Sequence, residues 1–274
     1  SGAITRASYL ELLGRTITRV RRGSGRLKQT LVESSFDAWT RFYKQDENAP
    51  NAIVSYYTKG ALAALCLDLT LRAETGGAHT LDAVMAELWR RHGETGIGVP
   101  EEGVERVAAE VSGLDLEGFF DALLRGTGEP PLEALLEGVG VTLSWRAATG
   151  SSDPGGKVAD RVPTAVLGAR VVDERGEARL ASVFEGGAAH QAGLSAGDLV
   201  IALNGLRVSG ANLEERVAMF EPDERYELLA FRRDELMRFE VQARAPALDT
   251  AVLLLREDAD TQVLDAWLGR DRSE

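Results

Sequence analysis

Cysteine is almost missing. Cys66 is the only one in 274 residues, so no disulfide can form within the chain and its stability has to come from apolar cores. Cationic side chains are in deficit: 31 Lys and Arg stand against 43 Asp and Glu, a net charge of -12 with a pI near 4.9. Such a chain repels phosphate backbones, which argues against a nucleic-acid partner. No apolar run approaches the ~20 residues that span a bilayer, and no signal-peptide core lies near the start. Together with a lone cysteine, these absences give the expectation of a cytoplasmic chain without a membrane partner. Histidine is also scarce, with only His79, His92 and His190, in three separate segments. What is plentiful is apolar side chain, 44% of the sequence, enough to fill the cores of one or two domains.

The first half has the period of helices. Thr5 can cap a helix from Arg6 to Arg22, with Tyr9, Leu12, Leu13, Ile17 and Val20 on one face. Gly23-Ser24-Gly25 ends it. Ser34, Ser35 and Asp37 read as turn or cap residues before Ala38-Trp39, and the pattern is lost over 44–50, which predicts a loop. Thr80 caps a helix through Leu81, Val84, Met85 and Leu88. Pro100 suits the first turn of a helix carrying Glu101 and Glu102 at its positive end. Asp115 is placed to cap the segment after it, and Pro131 to start a last short helix. Past residue 137 the period changes. Val139, Val141, Leu143 and Trp145 alternate with small or polar residues, as in a strand. Segments near 166–172, 178–184, 199–203, 226–231 and 237–241 also read as strands, and Asn212 to Phe220 as a helix. The predicted fold class is therefore α+β with two domains, an all-α part over 1–137 and a β-rich domain over 138–245. A C-terminal extension, 246–274, is expected to pack on the rest.

Between the helical segments sits the most unusual stretch, Ser55-Tyr56-Tyr57-Thr58-Lys59-Gly60, at the mouth of the apolar run Ala61 to Leu71. Paired tyrosines there can be helix-start residues, packed on the ring and wet at the hydroxyl. They can also present a neutral O–H donor to a reacting group. Cys66, inside the run, reads as a small buried core residue.

The run LASVFEGGAAHQAGL-SAGD-LVIALNG, residues 180–205, resembles a PDZ domain. Gly193 and Gly197 supply turn conformations that a Cβ would strain, Asp198 can cap the turn, and Asn204-Gly205 is a tight-turn dipeptide. PDZ domains take up extended peptides, often C-terminal tails, as an added strand at a sheet edge. The resemblance implies a peptide groove formed by the loop Leu167-Gly168-Ala169, the edge strand from Arg170 and Val171, and a helix presenting Leu213 and Val217. The loop holds a single glycine, a departure from the pattern for binding a terminal carboxylate. A PDZ module that only packs on its neighbour is the alternative.

The stretch SSFDAWTRFYKQDENAPNAIVSYYTKGALAALCLDLTLR, followed by a PDZ-like half, resembles the glycyl aminopeptidase family, thermolysin-like zinc peptidases that carry a PDZ domain behind the catalytic domain. The resemblance implies that Tyr57, the tyrosine of Tyr-x-Lys-Gly, donates to the oxyanion of the tetrahedral intermediate. It also implies that peptides with small N-terminal residues, glycine above all, are the substrates. Lys59 is expected to orient the helix mouth or meet a neighbouring carboxylate, and Gly60 to allow close packing. The family's HExxH zinc ligands have no counterpart here, so zinc is expected in an intact parent protein, with no metal held by this chain. The expectation is that the chain is a C-terminal part of such an enzyme and inactive alone. A non-catalytic scaffold of a helical domain and a PDZ domain is the competing reading.

Overall fold

A computed structural model describes residues 4–270; the two ends of the division drawn above, 1–3 and 271–274, lie outside the described residues. The helical part is organised around one long helix. Helix α1 (Arg6–Arg22) begins where the Thr5 hydroxyl accepts the Ser8 N–H and ends on Arg19, Arg21 and Arg22 at its negative pole. Helix α2 (Leu31–Phe36) is capped reciprocally by Thr30 and Glu33, a capping box one turn earlier than Ser34 and Ser35 suggest. After a 3₁₀ turn at Phe42–Lys44, the segment 44–50, expected to be a loop, runs at its end into a single helical turn, α3 (Ala49–Ala52). Helix α4 (Tyr56–Glu74) then starts on Ser55, whose Oγ accepts the Thr58 N–H at 3.3 Å.

Two cores meet along α4. Leu62, Cys66 and Leu69 pack with Leu10, Ile17 and Leu136, while Leu67 and Leu71 pack with Val84, Val107 and Phe120. A helix apolar on both sides must be buried on both, and each such side chain contributes roughly 1.5–3 kcal/mol. Cys66 is fully buried, and burial pushes its thiol up to about 12, so it is inert packing. Helices α5 (Leu81–Leu88), α6 (Gly103–Ser112), α7 (Glu117–Phe120) and α8 (Leu132–Gly138) complete this layer. The Asp115 carboxylate caps α7 through the Glu117 N–H.

Strand β1 (Val141–Ala147) pairs antiparallel with β8 (Leu248–Leu255), Val141 opposite Leu255 and Trp145 opposite Ala251. This two-stranded sheet lies on α1. Val141, Ala251 and Leu253 share a core with Leu10, Leu13 and Ile17, and helix α11 (Thr261–Leu268) closes it through Leu264. Thus 141–147, grouped with the β-rich domain by its alternation, packs with the helical part, and its partner strand comes from the C-terminal extension. The approach of β8 to α1 is close: a Cβ on Gly14 would lie 3.3 Å from the Ala251 carbonyl oxygen, and the Thr18 hydroxyl accepts the Ala251 N–H at 2.9 Å.

The second sheet runs in the order β2 (Ala169–Glu174), β3 (Glu177–Val183), β4 (Leu199–Leu203), β6 (Arg225–Arg232), β7 (Glu235–Gln242), with β5 (Leu206–Arg207) paired to β4. An isolated bridge from Val166 to Arg244 draws the two ends together. Helices α9 (Ala188–Gln191) and α10 (Leu213–Val217) cover its core of Leu180, Val200, Leu228 and Val241. Turn chemistry agrees with sequence: Gly193, Gly197, Asn204 and Gly205 all have positive φ. The Asp198 carboxylate accepts the Ser195 N–H at 2.8 Å and, fully buried, receives both Nε and Nη2 of Arg232 at 2.8 Å.

The two halves are joined by Asn51 of α3. Its Nδ2 donates to the Val183 carbonyl at 2.7 Å and its Oδ1 accepts the Glu185 N–H at 3.0 Å, while the Glu185 carboxylate takes Lys28 at 2.5 Å and Ser24 at 2.7 Å. Removing a buried amide that satisfies two backbone groups costs about 1–3 kcal/mol. Asn51→Ala should therefore speed hydrogen exchange at the Glu185 amide while leaving exchange in β4 and β6 unchanged.

Candidate functional site

Tyr56 and Tyr57 occupy the first turn of α4, where Ser55 holds the helix start. Tyr57 is 57% exposed. Their rings are 4.2 Å apart and tilted by 31°. Phe42 stands against both, at 5.3 Å from Tyr56 and 5.8 Å from Tyr57. Tyr43 leans on Trp39 at 5.1 Å and places its hydroxyl 2.7 Å from that of Tyr57 and 3.0 Å from that of Tyr56. The three hydroxyls therefore converge at one surface point, backed by aromatic rings. The hydroxyls of Tyr43 and then Tyr56 stabilise the Tyr57 phenolate and hold its phenol below the usual range, whereas the hydroxyl of Tyr43 and then the nearby one of Tyr57 push Tyr56 well above it. Tyr43 escaped sequence reading because it lies past the last periodic helix residue. The dense aromatics Trp39, Phe42 and Tyr43 were the available signal.

Lys59 is buried at 2% exposure, and its Nζ donates to the Arg26 carbonyl at 3.3 Å. Burial lowers its ammonium below the ordinary lysine range, while the Glu129 carboxylate opposes that shift. Its bonded partner is thus a main-chain oxygen, with the carboxylate of Glu129 engaged by Arg26 at 2.8 Å. It fastens α4 to the turn before α2. Gly60 does not serve close packing: an added Cβ would meet only Leu31 Cδ2, at 4.0 Å. A mid-helix glycine with room beside it destabilises relative to alanine. Gly60→Ala should raise unfolding free energy by roughly 0.5–1 kcal/mol in urea titrations.

At the β-rich domain the named groove residues divide into two sets. Leu167, Ala169, Leu213 and Val217 have their side chains in the core, at 0–4% exposure, and Val171 packs against it. Arg170 is exposed. Gly168 has φ +72, and a Cβ there would come within 2.8 Å of the Gly187 Cα. The loop is tied down by the Ala189 N–H to the Leu167 carbonyl and the Phe184 N–H to the Gly168 carbonyl, at 2.8 and 2.9 Å. Strand β2 ends the sheet order, so among the described residues no strand pairs with its outer edge. The approach to α10 closes the far end of that edge, where a Cβ on Gly210 would lie 2.4 Å from the Asp173 Cα.

Among the described residues no group of three or more His, Cys, Asp or Glu side chains is placed to hold a metal ion. His79 follows α4, His92 lies in the turn after α5, and His190 is in α9. Among the described residues no helix is long and apolar enough to cross a membrane.

A helical layer with an exposed tyrosine centre is followed by a six-stranded antiparallel sheet with an open edge and two covering helices, the architecture of a PDZ-type module. Residues 1–63 match the M61 glycyl aminopeptidase family and residues 157–226 match the PDZ domain. The chain carries an M61 glycyl aminopeptidase region followed by a PDZ domain. Tyr43, Tyr56, Tyr57, Lys59 and Gly60 all fall inside the M61 match. A solved aminopeptidase N family protein from Idiomarina loihiensis is 37% identical, with a TM-score of 0.91 over 97% of this chain and 45% of that one. The chain thus spans under half of that relative's length. An HtrA-type protease solved with a decapeptide is 18% identical over 32% of this chain and 31% of its own, at a TM-score of 0.30. A serine endoprotease from Yersinia pestis is 20% identical over 32% and 31%, at 0.29. No curated protein matches the chain.

Proposed function

We propose that the whole protein is a zinc-dependent aminopeptidase that releases small N-terminal residues, glycine preferred, and that Tyr57 supplies the hydroxyl that binds the oxyanion of the tetrahedral intermediate. The observation that carries this reading is the placement of Tyr57. Its hydroxyl is exposed at the capped start of a buried helix, within the M61 match, and is held by a neighbouring hydroxyl. A phenol is neutral at pH 7 and donates one bond. Fixed in advance, that bond can be aimed at the point where negative charge develops.

Zinc does not fit the side chains described here, because no three donors converge. The ion belongs to this reading only for the whole protein. The PDZ edge is the second half of the proposal. An extended peptide would pair with the outer edge of β2 next to the Gly168 loop, with Arg170 along its path. A cytoplasmic setting belongs to the same reading. It rests on the single buried thiol, which needs no oxidising environment.

The test is an assay of the purified 274-residue chain. Dialysed chain should retain no stoichiometric zinc and should not hydrolyse glycyl p-nitroanilide, while the whole protein does both. Chain that kept one zinc per molecule and turned over substrate would overturn the division of labour. A whole protein inert towards all aminoacyl substrates would favour the scaffold reading.

A further inference from the structure

The three tyrosine hydroxyls can be treated as a count of protons. Each has one proton to donate and room to accept. Two contacts join them, Tyr56 to Tyr43 at 3.0 Å and Tyr43 to Tyr57 at 2.7 Å. Among the described residues these are the side-chain hydrogen bonds the three hydroxyls make, and no carboxylate, ammonium or guanidinium bonds to them. The titratable groups facing Tyr57 are therefore Tyr43, from the 3₁₀ turn, and Tyr56, from its own helix. Two contacts use two protons and leave one. If Tyr43 accepts from Tyr56 and donates to Tyr57, the unused proton is on Tyr57. In the reverse order it is on Tyr56. If Tyr43 accepts from both, its own proton is the one left over.

Geometry and charge preference favour the first order. Tyr57 is the most exposed of the three rings, at 57% against 51% for Tyr43, with Tyr56 half-buried. A spare O–H on Tyr57 faces outward. Tyr43 cannot easily turn away, since Trp39 at 5.1 Å and Phe42 at 5.5 Å brace its ring. The opposite displacements of the Tyr57 and Tyr56 titrations fit a chain of donors that ends on the Tyr57 oxygen.

We propose that Tyr43 is a positioning residue: its hydroxyl accepts from Tyr56 and donates to Tyr57, which leaves the Tyr57 O–H free to point at an incoming oxyanion. Hydrogen bonds in series polarise one another, so the outward O–H becomes a stronger donor than an isolated phenol. The proposal rests on the assignment of Tyr57 as the oxyanion donor, but the relay itself can be measured without turnover.

The measurement is a spectrophotometric pH titration of tyrosinate near 295 nm on the full chain, which has five tyrosines, recorded for wild type and single Tyr→Phe variants. One phenol should ionise ahead of the rest in wild type, and Tyr57→Phe should remove that early step. Tyr43→Phe keeps the ring stack and should move the step up by about 0.5–1 pH unit. Tyr56→Phe should move it in the same direction by less. Circular dichroism checks that each variant is folded. An early step untouched by Tyr43→Phe, or one removed by Tyr56→Phe instead of Tyr57→Phe, would overturn the relay.

In the whole enzyme, Tyr43→Phe should lower kcat about tenfold, the order expected for weakening one positioned donor, with KM unchanged. If the titrations behave as described but Tyr57→Phe is kinetically silent, the relay stands and the oxyanion role falls. If Tyr57→Phe is crippling but Tyr43→Phe changes neither titration nor kcat, the oxyanion role stands and the relay is wrong.

Discussion

Tyr57→Phe in the whole protein is expected to lower kcat by ~10²–10³-fold, the usual loss for one oxyanion donor, with little change in KM. The asymmetry follows from where the bond forms. A hydroxyl that meets charge only as the carbonyl becomes tetrahedral stabilises the transition state and not the bound substrate. The phenylalanine ring would still pack beside Tyr56 and Phe42, at the 4.2 and 5.8 Å spacings of the native ring, so melting should not change. Tyr56→Phe is the internal comparison. It removes a donor two bonds back in the cluster, behind Tyr43, and should cost far less. A reversed order, with Tyr56→Phe abolishing turnover and Tyr57→Phe sparing it, would move the donor by one residue. Loss within about threefold for both, under the usual scale for a catalytic contact, would leave the tyrosines as packed helix-start residues.

The second large effect is on stability. Arg232→Ala should destabilise the PDZ domain by about 3 kcal/mol, because it leaves the carboxylate of Asp198 buried with only the Ser195 N–H as partner. The figure sits at the low end for buried pairs since the Arg232 side chain is itself 34% exposed and partly solvated. Asp198→Asn with Arg232→Met should recover much of the loss, as removing both charges also removes the unpaired one. Tryptophan fluorescence would not report this change: Trp39, Trp89, Trp145 and Trp267 all lie outside the PDZ sheet. Hydrogen exchange in β4 and β6 would. Equal exchange in wild type and Arg232→Ala would show that the pair does not hold the sheet.

Local signals were readable from sequence, and long-range ones were not. Thr5 and Thr80 announce their helices because a cap and a 3/4 pattern act within one turn. The turns at Gly193, Gly197 and Asn204-Gly205 are equally local. The partner of β1 is β8, more than a hundred residues on, and nothing in the alternation of Val141, Leu143 and Trp145 specifies which sheet they join. Asn51 follows directly on the 44–50 segment whose pattern predicts a loop, and nothing local marks it. Its role depends on the Val183 carbonyl and the Glu185 amide, both in the other domain. At the tyrosine centre, Tyr57 could be named from its motif. Tyr43 could not, because it reaches Tyr57 only through the fold between the 3₁₀ turn and α4. Leu213 and Val217 lie on a helix, as their spacing predicts, but that spacing does not say that both side chains are fully buried in the core and absent from the groove wall.

The most direct measurement of the Tyr57 assignment is inhibition of the whole enzyme by a phosphinic analogue of a glycyl dipeptide, whose oxygens imitate the tetrahedral intermediate, compared with glycine, the released product. If the Tyr57 hydroxyl binds developing charge, Tyr57→Phe should raise the inhibition constant of the phosphinate by ~10²-fold and leave that of the product within about twofold, since only transition-state mimics sense such a contact. Equal weakening of both ligands, or of neither, would contradict it.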